Sequence, residues 1–96
     1  MARFDKIAVL DKIGSTGMVP VFYHKDAEVA KKVVKACYDG GVRAFEFTNR
    51  GDFAHEVFAE VVKYAAKECP EMAMGVGSIV DPATAALTCN WVLALW

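Results

Sequence analysis

Three side chains able to bind or move charge fall at alternate positions of one segment, Glu46, Thr48 and Arg50 in Arg43-Ala44-Phe45-Glu46-Phe47-Thr48-Asn49-Arg50. A strand repeats every two residues, so Glu46 and Thr48 share one face while Phe45 and Phe47 point to the other. A carboxylate in an apolar strand is costly to bury unless it is paired or carries protons. Glu46 therefore reads either as a proton carrier or as half of an internal ion pair with Arg43 or Arg50. Gly75-Val76-Gly77-Ser78 is the second candidate. Glycines inside a strand mark close approach of a ligand or another backbone, and tight packing explains them equally well. Ser78 could offer its hydroxyl and nearby amides to an anion ahead of a helix start. Lys25, the lysine nearest the C-terminal end of a predicted strand, reads as a solvated loop charge. His24 and His55 have no ligand-spaced partners, and His55 falls on a helix surface. Cys37, Cys69 and Cys89 form no CxxC pair and no cluster with histidine, so they read as reduced thiols and no metal site is expected. Met18, Met72 and Met74 read as core filler.

The elements that must position these residues alternate helix and strand, which points to a parallel α/β fold. Residues 3–14 form an amphipathic helix with Phe4, Ile7, Ala8 and Ile13 on one face. Residues 18–24 (MVPVFYH) make a buried strand. Asp26 caps a helix whose apolar stripe is Val29, Ala30, Val33, Val34 and Cys37, and Gly40-Gly41 ends it with a left-handed residue. The second strand is 42–48. Asp52 is expected to cap the next helix, with Phe53, Val57, Val61 and Tyr64 at helical spacing, before Pro70 closes it. Residues 72–80 form the third strand, and Asp81-Pro82 opens another helix. If such a sheet curls into a (β/α) barrel, Phe45 and Phe47 face the helices. Glu46 then points inward near the C-terminal rim, where such barrels hold their active sites.

The chain has 96 residues, 55% of them hydrophobic, and eleven basic against twelve acidic side chains give a net charge of −1. Charge of both signs is dispersed with no basic patch, which argues against nucleic acid as a partner. No apolar run reaches membrane-spanning length, and the start, Met-Ala-Arg-Phe-Asp-Lys, lacks a signal-peptide core; a cytoplasmic location is expected.

Three segments together resemble a known family. Val19-Pro20-Val21-Phe22, Gly40-Gly41-Val42-Arg43-Ala44-Phe45-Glu46-Phe47-Thr48-Asn49-Arg50 and Val76-Gly77-Ser78-Ile79-Val80-Asp81-Pro82 are similar to the bacterial 2-keto-3-deoxy-6-phosphogluconate and 4-hydroxy-2-oxoglutarate aldolases. The middle segment resembles that family's G-G-[VI]-x-x-x-E-[VIF]-T-x-R pattern. The last resembles its A-G-T-V-x-x-P, with Val76 for alanine and Ser78 for threonine. The resemblance implies the N-terminal portion of a (β/α)8 TIM barrel, three βα units after a leading helix, from a family that usually assembles as a homotrimer. It implies a class I aldolase, a lyase of carbohydrate metabolism that reversibly cleaves a 2-keto-4-hydroxy acid, such as a phosphorylated sugar acid, into pyruvate and an aldehyde. The chemistry runs through a lysine Schiff base, with no cofactor. Glu46 matches the family glutamate that shuttles protons through a water. Arg50 matches the arginine that grips the substrate carboxylate. Ser78 matches a threonine that holds the pyruvyl carboxylate, and Thr48 is placed with them as substrate-binding.

The likeness covers residues 1–87 and lacks the family's K-F-F-P-type strand with its Schiff-base lysine. The 96-residue chain is therefore expected to be an inactive fragment. Residues 88–96 depart from the family's Y-L-x-x-G-A-x-F-V-V and form an apolar tail. A single-nucleotide deletion in a family-like parent would produce both this tail and a stop codon after it. The alternatives are a genuine short protein, and a half-barrel that self-associates or binds a partner through open sheet edges without catalysis.

Overall fold

The computed structural model describes residues 3–89. The Asp5 carboxylate accepts the Ala8 amide and starts α1 (Lys6–Thr16), which Gly17 ends in the left-handed conformation at φ 69°. This helix runs past the expected limit at residue 14 because the left-handed residue that stops it is Gly17. Val9 is its buried residue; of the expected apolar face Phe4, Ala8 and Ile13 are half-buried, whereas Ile7 is 77% exposed. Lys12 donates to the Glu71 carbonyl at 2.9 Å and Arg3 to the Pro70 carbonyl at 3.4 Å. These bonds fasten α1 beside the chain that enters the third strand.

The strands are β1 (Val21–Phe22), β2 (Ala44–Thr48) and β3 (Ala73–Gly77), in the order β1-β2-β3 with both pairings parallel. Each is shorter than its sequence signal. In β1 the loss is greatest: Pro20 has no amide to donate, and its carbonyl accepts from Glu46 at 2.8 Å just before the two-residue ladder begins. Met18, expected in the core, is exposed ahead of that strand, while Met72 and Met74 are buried.

Two helices cover one face of the sheet. Asp26 caps α2 (Ala27–Asp39) by accepting the Glu28 amide, and Gly41, at φ 103°, turns the chain out of it. Its stripe is as expected at Ala30 and Val34, both fully buried, with Val33 and Cys37 packed beside them and Val29 more exposed. In α3 (Ala54–Glu68) the start differs from expectation. Asp52 caps nothing; Phe53 occupies the N-cap position at φ 57° with no side-chain cap bond. Starting the helix at Ala54 turns Phe53 out to 68% exposure, and Ala54, Phe58, Val61, Val62 and Ala65 form the buried stripe.

The core lies between these helices and the sheet. Phe45 and Phe47, fully buried, meet Val34, Phe58, Val61 and the β3 residues Met74 and Val76. Phe47 stacks on Phe58 with ring centroids 5.6 Å apart. The ladder pairs Phe45 with Met74 and Phe47 with Val76, so these four share the helix-covered face. Asp81 then accepts the Thr84 amide at 2.8 Å and opens α4 (Pro82–Cys89). No helix among the described residues is long and apolar enough to cross a membrane. Most of the apolar tail, residues 90–96, lies outside the described residues.

Candidate active site

Pairing by twos leaves Val21, Ala44, Glu46, Thr48, Ala73, Gly75 and Gly77 on the sheet face opposite the helices. Glu46 is half-buried there, and Thr48 is fully buried, its hydroxyl 3.5 Å from the Phe22 carbonyl. The expected division of β2 into a polar face and a phenylalanine face is therefore realised. Glu46 has Gly75 as its ladder partner. Its carboxylate leans toward the C-terminal end of the sheet, over the Cα of Gly77, where an added Cβ would overlap Oε1 and come within 2.6 Å of Cδ.

The internal ion pair is ruled out among the described residues. Arg43 lies with its guanidinium 4.1 Å from the Tyr38 ring centroid and donates to the Tyr38 and Val42 carbonyls, each at 2.8 Å. Arg50 is exposed just past the end of β2, and no salt bridge reaches Glu46 from either arginine. The stacking and the two carbonyls hold the Arg43 guanidinium at the opposite end of the strand.

The ends of β2 and β3 are tied together. The Asn49 amide donates to the Gly77 carbonyl at 2.9 Å, extending the ladder by one bond, and the Arg50 amide donates to the Thr48 carbonyl at 3.0 Å. Ser78 follows directly, exposed and at φ 60°, a left-handed conformation that costs a non-glycine residue about 1–3 kcal/mol. Phe53, the other non-glycine residue with positive φ among the described residues, is in the loop after β2 at this same end. Both strained residues therefore lie at the rim where the strands finish, the side on which sheets of this class bind ligands. Asp81 begins the helix beyond Ser78. The bond from the Thr84 amide holds its carboxyl below the ordinary carboxylate range.

Glu46, Thr48, Arg50 and Ser78 thus gather at one end of β2 and β3. Lys25 is exposed in the loop after β1, and His24 accepts the Asp26 amide at 2.9 Å, so it serves the start of α2. His55 is half-buried in α3 beside Phe53, with ring centroids 6.3 Å apart. Among the described residues no group of three metal-ligating side chains occurs. Of the cysteines, Cys69 is buried, which pushes its thiol up; Cys37 is half-buried and Cys89 exposed.

One contributor escaped the sequence reading. Tyr23 packs edge-on against Phe47 at 5.6 Å and places its hydroxyl over the Cα of Gly51, the residue after Arg50. A phenol in an apolar strand was the available signal, since its hydroxyl must reach polar surroundings somewhere. The left-handed Phe53 had no signal in the sequence.

No family model matches the chain. Curated relatives do. The KHG/KDPG aldolase of Escherichia coli (strain K12) is 37% identical over 73 residues, which span 75% of this chain and 32% of the relative. The Shigella flexneri protein of the same name matches to the same extent. The 2-dehydro-3-deoxy-phosphogluconate aldolase of Pseudoalteromonas atlantica is 32% identical over 81 residues, 84% of this chain and 36% of the relative. The chain is a partial match to the KHG/KDPG aldolase family. It spans about a third of the length of the curated relatives it matches. Its parallel βα units are consistent with part of a TIM barrel, the fold expected from the resemblance.

Proposed function

We propose that this chain carries the proton-transfer and carboxylate-binding part of a class I aldolase that cleaves 2-keto-3-deoxy-6-phosphogluconate or 4-hydroxy-2-oxoglutarate to pyruvate and an aldehyde. The observation that supports it most is the Glu46 carboxylate, half-buried on the sheet face opposite the helices, with no ion-pair partner among the described residues and leaning toward the rim. In the reaction a lysine amine condenses with the substrate keto carbon and releases water. A base removes the proton of the 4-hydroxyl group, the C3–C4 bond breaks, the aldehyde leaves, and the electron pair passes into the imine to give an enamine. Protonation at C3 and hydrolysis then release pyruvate and the amine. Glu46, acting through a water, takes and returns those protons. Arg50 binds the substrate carboxylate with its planar fork of donors, and Ser78 and Thr48 supply hydroxyls beside it. The lysine belongs to a later strand of the family's barrel, so the 96 residues by themselves are inactive and the whole enzyme assembles as a trimer in the cytoplasm.

The decisive test joins residues 1–87 to the remaining two-thirds of the Escherichia coli relative. Pyruvate release and borohydride trapping of pyruvate are expected in the chimera and should fail in its Arg50→Ala variant. A folded chimera that forms the imine and turns over unaffected by changes at Glu46 and Arg50 would refute the assignment.

A second reading is supported by the edges of the sheet. With β1 and β3 at the two edges and Ile7, Leu10, Met18 and Val21 more than half exposed, the chain is suited to self-association without catalysis. Size-exclusion chromatography of the 96-residue chain tests this; a monomer at micromolar concentration would exclude it.

A further inference from the structure

We propose that Gly77 is a positioning residue for Glu46: the bare Cα at 77 is the seat that aims the carboxylate at the rim. The proposal rests on Glu46 being the proton carrier, and it goes beyond that reading by naming what directs the carboxylate.

Gly77 and Ser78 together reverse what backbone conformation alone would favour. Of the two, Ser78 has the left-handed φ of 60°, where glycine is free and serine is strained. Gly77 has no positive φ; it ends β3 in a conformation open to any residue. A glycine inside a strand costs stability through lost backbone freedom and a missing side chain. Glycine at 77 is therefore explained by space and not by conformation. The space is filled from the neighbouring strand, because a Cβ built on Gly77 would overlap Glu46 Oε1 and lie 2.6 Å from Cδ and 3.3 Å from Cγ. The ladder partner of Gly77 is Thr48, and that of Glu46 is Gly75. The carboxylate has consequently moved about one side-chain step along the sheet, toward Ser78 and Arg50, by using the gap at 77.

The obstructing atoms are the far end of a flexible side chain. A methyl at 77 can be accommodated by swinging Glu46 away, so the fold survives while the carboxylate loses its direction. This separates positioning from stability. A glycine kept for close packing of two backbones would show the opposite pattern, with Gly77→Ala destabilising the sheet whatever stood at 46.

The test begins with the 96-residue chain. In the wild type, nuclear Overhauser contacts should link the Gly77 α-protons to the Glu46 γ-protons. In Gly77→Ala, the Glu46 γ-protons should lose their contacts to residues 77 and 78, with the unfolding midpoint moved by only a few degrees. An unchanged set of Glu46 contacts would overturn the proposal. Should Gly77→Ala fail to fold, the Glu46→Ala/Gly77→Ala double variant decides. Recovery of the folded spectrum supports the seat, and continued unfolding assigns Gly77 to backbone packing and overturns it. In the chimera, Gly77→Ala should lower kcat about a hundredfold, a typical general acid–base contribution, with KM within threefold. The effect should vanish in a Glu46→Gln background, because the two act through one group. An equal kcat loss in both backgrounds would overturn the positioning role. If Glu46→Gln itself turns over normally while the proton contacts shift as expected, the catalytic reading of Glu46 has failed and the contact is structural only.

Discussion

The carboxylate of Glu46 lies over the Cα of Gly77, on the next strand and one side-chain step beyond its own ladder partner Gly75. This contact joins a half-buried acid on β2 to the turn at Ser78, and Asn49 closes the same turn by donating to the Gly77 carbonyl.

Replacing the acid in the chimera should expose its role. Glu46→Gln keeps size and removes the proton-carrying function, so aldol cleavage should fall by about two to four orders of magnitude. Pyruvate release under saturating substrate measures it, and near-normal turnover would return Glu46 to a structural role.

The 96-residue chain incubated with pyruvate and borohydride should give no adduct on a specific lysine and no pyruvate release from the phosphogluconate substrate. Lys25, the lysine nearest the strand ends, is exposed in the loop after β1, and the family's Schiff-base lysine lies on a later strand. Mass spectrometry of the borohydride-treated chain checks this; a single modified lysine together with turnover would contradict it.

Gly51 provides a contrast with Gly77. A Cβ there would overlap the Tyr23 hydroxyl and lie 2.5 Å from Cζ and 3.0 Å from Cε1 of a ring held against Phe47. A packed ring cannot swing aside as a carboxylate can, so Gly51→Ala should cost about 1–3 kcal/mol by overpacking. Urea unfolding measures the loss, and Tyr23→Ala in the same chain should abolish this added cost.

Phe58 is fully buried and stacks on Phe47. Phe58→Ala should destabilise the chain by about 3–5 kcal/mol, enough to unfold a small domain of marginal stability. Loss of cooperative thermal unfolding by circular dichroism is the expected readout.

Asp81 supplies a pH signature. Its carboxyl is held below its ordinary value, principally by the Thr84 amide bond, so the folded state binds that proton less readily than the unfolded state. A depressed carboxyl stabilises the fold above its unfolded pKa, and the contribution is lost as pH falls through the folded value. The stability gap between wild type and Asp81→Asn should therefore be full near neutrality and shrink on acidification through the carboxylate range. Urea midpoints measured from pH 7 to pH 2.5 test it; a constant gap would show that Asp81 does not act through its charge.

Local pattern made much of this architecture legible. Period two in residues 44–48 separates Glu46 and Thr48 from Phe45 and Phe47, and the observed strand obeys it. Asp26, Gly41 and Asp81 act at the helix ends where their chemistry places them. Each of these depends on neighbours a few residues away, and composition carries that information directly. The expected Asp52 cap failed for a reason of the same scale and opposite sign. Asp52 is the right type of residue, but the loop closes with the Ala54 amide donating to the Gly51 carbonyl at 3.2 Å and Phe53 left-handed.

By itself, then, the amino-acid sequence determined the order of strands and helices, the two faces of β2, and the candidates Glu46, Thr48, Arg50 and Ser78. The tertiary structure removed the ion pair with Arg43 or Arg50 as a use of Glu46, because pairing depends on what stands across the sheet. Arg43 could have paired with it on sequence grounds, yet stacking on Tyr38 and two carbonyl acceptors hold the guanidinium elsewhere. Nor could the sequence show that the Glu46 carboxylate reaches past its register partner Gly75 to lie over the Cα of Gly77. Side-chain periodicity is a property of one strand, whereas the partner of a buried charge is fixed by register between strands far apart in the chain.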